Sequence, residues 1–409
     1  MSADIRFEPS RPVPGAVAAV VATVCRTLPQ DRSPIALHEP EFAGSEWAYV
    51  KNCLDTGWVS SVGAFVERFE ADLARACGTR FAVVTVSGTA ALHVALLLAG
   101  VQPGDEVLLP SLTFIATANA VSHAGGLPHF LDCDPDTLCL DLAAARSYLE
   151  RCAIADRGVC RNRETGRRIA AIVPVHVFGH PVDPDAMAGL ADRFSLAVIA
   201  DATESLGSSW AGRPAASLGR LGVLSFNGNK IVTTGGGGAI VTDDEELAVA
   251  AKHLTTTAKK PHRWAFEHDR VGFNYRMPNI NAALGCAQLE RLAEFVARKR
   301  RLHAAYRDAF AGFSDAAILT EQGAARSNYW LVALRLDGRL AGKRDEVLEQ
   351  LHAAGILSRP LWTPMHRMSM YRDHPRSDMR HTDAMFERVI NLPSSPRLAP
   401  TAPRLREAD

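Results

Sequence analysis

Apolar residues along this chain alternate between two rhythms. The run AFVERFEADLARAC (64–77) sets Phe65, Phe69 and Leu73 on one face at helical spacing. FAVVTV (81–86) is a continuous apolar run with the length of a buried strand. SGTAALHVALLLAG (87–100) then reads as a helix with Ser87 or Thr89 near its start and Gly100 at its end. The alternation continues with strands at 106–110, 127–132, 167–179 and 196–201. The intervening helices fall at 113–125, 140–152 and 183–194. Strands alternating with helices imply βαβ units, hence an α/β fold with a mainly parallel sheet covered on both faces.

The segment 157–168, RGVCRNRETGRR, breaks this rhythm. Its charge and its Glu-Thr-Gly turn predict a surface hairpin, with a substrate-contact role as the alternative. Beyond residue 279 the pattern changes. One or two long helices (279–310) precede a strand (328–336), a helix (343–355) and a strand (356–362), a smaller α+β unit. The expected organisation is an N-terminal arm at 1–34, a large domain at 35–285 and a small C-terminal domain at 286–409. Within the arm, GAVAAVVATVC (15–25) is too short to span a bilayer and predicts an amphipathic arm or short helix.

Composition narrows the function. Forty-five basic and 45 acidic side chains balance, which gives no support for a nucleic-acid or membrane partner. The eight cysteines include no C-x-x-C pair and several lie in apolar runs, so a metal or redox site is disfavoured and a cytoplasmic location is expected.

In open α/β sheets ligands bind beyond the carboxyl ends of the strands. Asp201, Ser225 and the Ser87-Gly88-Thr89 turn all fall there, and Lys230 follows Ser225 in SFNGNKIVTTGGGG (225–238). The turn suits an anion, with free N–H groups at a helix start and a glycine allowing close approach. Ser and Thr are equally ordinary N-caps. The P-loop pattern and the dinucleotide fingerprint are both absent. An anion turn, a strand-end carboxylate and a shielded lysine together suit pyridoxal phosphate. That cofactor needs a phosphate site, a carboxylate for its pyridine nitrogen and an amine for its aldehyde. Read singly, Asp201 is a turn cap and Lys230 a lysine snorkelling to water.

These motifs, with GWVSSVGAFVERFE (57–70), DATESLGSSWAG (201–212) and GFNYRMPNINAALGCAQLERL (272–292), resemble the DegT/StrS-type sugar-nucleotide aminotransferases. The wording LHEPEF, HLTTTAK and RPLWTPMH is similar to the LegC-type branch. The resemblance implies fold type I with a seven-stranded, mainly parallel sheet and a homodimer with shared sites. It implies Lys230 as the lysine that captures the cofactor and Asp201 as the pyridine-nitrogen partner. Ser87, Gly88, Thr89 and Ser225 become the phosphate site, and Asn274 a phosphate contact made from the partner subunit. Phe114 is the aromatic for the ring, or else a core phenylalanine. His176 lines the site or is a satisfied core histidine. Glu204 stands where the wider family often has Gln touching the ring hydroxyl, and a carboxylate there repels a phenolate unless protonated or turned away.

The implied reaction moves an amino group from L-glutamate to C4 of a UDP-linked 4-keto-6-deoxy-N-acetylglucosamine, with a GDP-linked sugar as the nearest rival. A dehydratase or a regulatory protein of the same fold and a nicotinamide oxidoreductase are weaker alternatives. Arg263, Lys259, Lys260, Trp264 and Trp58 are candidates for the nucleotide, each equally readable as solvated charge or core aromatic.

Overall fold

A computed structural model describes residues 15–29 and 33–400. The expected arm residues 1–14 and 30–32, and residues 401–409, lie outside the described residues.

Among the described residues the main sheet has nine strands, seven of them on a path in the spatial order Phe81–Thr85, Gly238–Thr242, Leu221–Ser225, Ala197–Asp201, Arg168–Ile172, Glu106–Pro110 and Leu127–Leu131, and two in a hairpin that joins at Arg168–Ile172. Along this path only Gly238–Thr242 runs antiparallel to its neighbours. The mainly parallel seven-strand path expected from the resemblance is present. Side chains alternate between its two faces, as the pleat requires. Val83, Val223 and Ile240 enter one core with the helix Gly88–Leu98, while Val84, Leu224 and Val241 enter another with the helix Ala64–Cys77. Burial on both faces explains why these strands read as unbroken apolar runs.

The strand ends carry the chemistry, and glycines let them converge. Gly238 pairs with both Thr85 and Ser225. A Cβ on Gly238 would fall 2.5 Å from Gly88 N and from Ser87 C, and one on Gly88 would fall 2.9 Å from Ser225 Cβ. The close approach made by Gly238 is therefore to the chain's own backbone.

Some elements are shorter than their apolar runs. The strand from Arg168 stops at Ile172; Pro174 lacks an N–H for the ladder, and Phe178 takes a φ of 54°. The strand expected from Asn328 begins at Val332, because Tyr329 sits at φ 48° and turns the chain. Prolines reduce the strand expected at 356–362 to Arg359–Pro360.

The hairpin expected at 157–168 forms earlier, at 153–162, with Ala153–Asp156 against Val159–Asn162, and docks on Arg168–Ile169. A buried polar knot anchors it. Glu106 accepts from Asn162 Nδ2 (2.9 Å) and Thr165 Oγ1 (2.5 Å) and pairs with His129 Nδ1 (2.8 Å). Segment 157–168 therefore binds the rest of the fold through Asn162 and Thr165.

A second sheet, antiparallel, orders Ala316–Ile318, Val332–Leu336, Val389–Leu392 and Arg359–Pro360. The helices Leu292–Phe310 and Arg344–Ala353 pack on it, joined by the N-terminal helix Ala16–Thr27 through Val17, Val20 and Val24. Residue 286 lies inside the helix Asn279–Glu290. No helix among the described residues is long and apolar enough to cross a membrane.

Burial raises the Glu106 carboxyl, but its bonds to His129, Thr165 and Asn162 outweigh that and hold it below its ordinary 4.5. A depressed carboxyl stabilises the fold above its unfolded value and loses that contribution as pH falls through its folded value. Glu106→Ala, which strips buried His129 and Asn162, and exposed Thr165, of their partner, is expected to cost about 2–4 kcal/mol in urea unfolding at pH 7. The difference from the parent should shrink as pH falls below about 4. A variant within about 0.5 kcal/mol of the parent at pH 7 contradicts this account.

Candidate active site

Strands ending on one side of the sheet deliver polar groups into one cavity of about 370 Å³. Its lining includes Ser87, Gly88 and Thr89 at the start of the helix Gly88–Leu98, Asp201 at a strand end, Ser225 at the next, and Glu204, Lys230 and Phe114. Eight of the nine residues assigned from the sequence to the cofactor thus share one cavity, brought together from positions 87 to 230. The ninth, Asn274, is exposed and does not line it.

Asp201 is 2% exposed. Its Oδ2 accepts from Thr117 Oγ1 (2.8 Å), and its Oδ1 accepts from Thr203 Oγ1 (2.7 Å) and Thr203 N (3.2 Å). Hydroxyls and an amide orient this carboxylate, yet no Lys, Arg or His among the described residues forms an ion pair with it. A buried charge without a counter-ion is costly, so the pocket is built for a positively charged group beside Asp201.

At the far end of the cavity Ser87 Oγ caps its helix, accepting from Ala90 N (3.1 Å). The helix start supplies N–H groups and a positive dipole end, the arrangement that holds a phosphate.

Lys230 follows the strand Leu221–Ser225 on a turn closed by its own N–H to Asn227 O (2.9 Å). Its side chain is 11% exposed, and Nζ lies 3.4 Å from Glu204 Oε1 and 3.8 Å from the Trp330 ring centroid. Snorkelling to water is therefore not what this lysine does. Glu204 faces two protein partners, Lys230 and the Phe178 N–H that donates to Oε2 (2.8 Å). Burial pushes its carboxyl above the ordinary value, partly offset by Lys230 and the Phe178 N–H.

Phe114 is half exposed, with its ring 6.4 Å from that of Trp362, so it forms cavity wall and not core. His176 is the satisfied core histidine. Its Nε2 donates to Ala215 O (3.2 Å), Nδ1 accepts from Val182 N (3.1 Å), and burial lowers its pKa to about 4. Trp58, Trp264, Lys259, Lys260 and Arg263 do not line the cavity. In this chain Lys260 pairs with Glu267, Lys259 lies over Phe266, and Arg263 lies over Trp264.

Four residues missed in the sequence complete the site. Thr203 and Thr117 hold Asp201, and Thr203 is legible afterwards as the hydroxyl two positions past the aspartate in DATES. Trp330 and Trp362 arrive from beyond residue 310 with no local motif to announce them. A phosphate turn, an unpaired buried carboxylate and a shielded amine facing one cavity fit pyridoxal phosphate.

Comparisons with known proteins agree with this chemistry. Residues 40–404 match the DegT/DnrJ/EryC1/StrS aminotransferase family. The chain is 39% identical over 367 residues to a GDP-perosamine synthase of Caulobacter vibrioides, covering 89% of this chain and 94% of the relative. It is 34% identical to the GDP-perosamine synthase of Escherichia coli O157:H7, covering 89% and 94%. Among solved structures, DesI in the presence of its TDP-sugar product superposes with a TM-score of 0.77 at 32% identity, covering 88% of each chain. The aminotransferase TlmJ of Streptoalloteichus hindustanus does so at 0.80 and 29%, covering 89% and 94%. The architecture is fold type I, and the chain belongs to the DegT/DnrJ/EryC1/StrS family as a pyridoxal-phosphate-dependent sugar aminotransferase.

Proposed function

We propose that this chain transfers an amino group from L-glutamate to the C4 keto group of a GDP-linked 4-keto-6-deoxy sugar. The observation that carries the transamination is the convergence of the Lys230 amine, the Asp201 carboxylate and the Ser87–Thr89 turn on one cavity. The names of the two GDP-perosamine synthases favour GDP. They count against the UDP-linked N-acetylated sugar of bacillosamine- and legionaminic-type synthesis to which the LegC-type wording pointed.

In this reading Ser87, Gly88, Thr89 and Ser225 hold the cofactor's phosphate, and Asp201 holds its ring nitrogen in the protonated state. Phe114 covers the ring. Pyridoxal phosphate, when bound, supplies an aldehyde that carries the amino group and a ring that withdraws electrons. With the cofactor bound, Lys230 would be the residue that moves protons at the substrate carbon as a general base and acid. Thr117 and Thr203 keep the Asp201 oxygens directed, and the aromatic wall of Phe114, Trp330 and Trp362 limits water.

A second copy of this chain completes the site in the same reading. Asn274 is exposed and outside the cavity of its own chain, and the nearby Trp264, Phe266 and Val271 are exposed apolar side chains of the kind a subunit interface covers. The partner's copy of this segment would bring Asn274 to the phosphate and the Lys259, Lys260 and Arg263 charges toward the nucleotide.

Three outcomes test this reading. Asp201→Asn keeps the side-chain shape and an oxygen for Thr203, turns an amide donor toward the Thr117 hydroxyl and cannot hold the ring charge, so kcat should fall by about 10²-fold or more, about 2.7 kcal/mol of transition-state stabilisation. Near-parental turnover would make Asp201 a structural residue. Steady-state assays with glutamate and either GDP- or UDP-linked 4-keto-6-deoxy sugars should give the higher kcat/KM for GDP. A preference for UDP overturns the nucleotide assignment, and amine transfer to neither overturns the sugar assignment. Asn274→Ala alone should be impaired. Mixing it with Lys230→Ala subunits, after dissociation and reassociation, should recover activity above the sum of the two. An impaired Asn274→Ala that gains nothing from mixing excludes a shared site.

A further inference from the structure

Each amino transfer requires Lys230 to release the cofactor and wait nearby as a free side chain. The cavity contains a place for it. Nζ lies 3.8 Å from the centroid of the Trp330 ring and 3.4 Å from Glu204 Oε1. We propose that the Trp330 indole face and the Glu204 carboxylate form a resting berth for the released Lys230 ammonium, making Trp330 a positioning residue that favours release of the lysine from the cofactor. This inference rests on the reading of Lys230 as the cofactor-capturing lysine.

The berth is rigid. Trp330 is 4% exposed, and its Nε1 donates to Asn229 O (2.8 Å), one residue before the lysine. Its N–H donates to Asn328 Oδ1 (2.8 Å), and its carbonyl accepts from Ser394 Oγ (2.8 Å) and Lys299 Nζ (3.0 Å). Glu204 is fixed through the same residue. Fully buried Asn328 donates from Nδ2 to Glu204 O (3.0 Å) and Leu206 O (2.9 Å). One side-chain amide therefore ties together both groups that face the lysine. The left-handed turn at Tyr329, φ 48°, lies between Asn328 and the tryptophan.

The two walls do different things. An indole face attracts a cation through its quadrupole but has no lone pair that takes a proton. Glu204 is the proton-accepting wall. A proton moving from Nζ to Oε1 converts an ammonium and a carboxylate into a neutral amine and a neutral acid, with the charge of the pair unchanged. Burial, which raises the proton affinity of this carboxyl, assists that exchange. The berth thus holds the lysine charged while it waits and returns it to the nucleophilic form without solvent.

A wall that stabilises the free ammonium shifts an equilibrium. The test titrates the holoenzyme with glutamate and 2-oxoglutarate and reads, from the absorption spectrum, the ratio at which half the cofactor carries the amino group. Trp330→Leu should raise that glutamate to 2-oxoglutarate ratio about tenfold, and Trp330→Phe, which keeps a weaker π face, by about threefold or less. A purely structural tryptophan would change cofactor affinity or rate but not this ratio. An unchanged or lowered ratio in Trp330→Leu, or equal shifts in Leu and Phe, overturns the berth. Trp330→Met, which fills volume without a ring, replaces the Leu variant if that does not accumulate. Borohydride reduction and peptide mapping of the parent separate the two readings. Cofactor trapped on a different lysine overturns the Lys230 reading and the berth with it, whereas cofactor on Lys230 with an unshifted ratio overturns the berth alone.

Discussion

The site is organised around a carboxylate that is buried with no counter-ion among the described residues. Asp201 sits at the end of an interior strand, 2% exposed, held by two threonine hydroxyls and a backbone amide. Those bonds orient the charge but do not neutralise it. A fold that leaves such a charge uncompensated suits a cavity that receives a positively charged group, the part that the proposed function gives to the cofactor's ring nitrogen. The main sheet permits this arrangement, since both faces of the strand are packed and the carboxylate is reached from the cavity at the strand end.

Around Asp201 the chain brings backbone close to backbone. Gly238 packs on Ser87 and Gly88, and Gly88 packs on Ser225. These contacts set three strand ends side by side and leave the start of the helix Gly88–Leu98 open to the cavity. The tetraglycine that follows Lys230 does separate tasks. Gly235 takes a φ of 76°, Gly237 makes room for Thr234 and Met277, and Gly238 lets the antiparallel strand enter the sheet.

Segments flanking the second sheet supply a wall of the same cavity. Trp330 and Trp362 reach it from segments that a sequence reading assigned to strands, and neither belongs to a strand. Asn328, through bonds to Glu204 O, Leu206 O and Trp330 N, joins the large sheet's loop to the smaller sheet's lead-in. Lys299 is buried with two carbonyl partners and, among the described residues, no carboxylate, and burial pushes its amine well below the ordinary value. The junction of the two sheets is therefore polar and specifically bonded, which fixes the cavity's shape.

Much of this was legible in the residues themselves. Strands buried on both faces announce themselves as apolar runs, and strand-to-helix turns are local, so the α/β order and the positions of Ser87, Asp201, Ser225 and Lys230 followed from spacing. Those residues together already suited the cofactor before the resemblance named the family, and the names of the relatives favour GDP in the proposed reading. What the residues did not disclose were contacts between distant segments. Thr117 reaching Asp201 spans 84 positions, and Trp330 facing Lys230 spans a hundred. Whether Phe114 belonged to core or cavity, and whether His176 belonged to the site, depended on which surfaces the packed sheets left open. Local pattern determines which segments become strands and helices because backbone hydrogen bonding and burial periodicity act over a few residues. Only the packed tertiary structure decides which side chains from those segments meet, because that depends on how whole faces fit together.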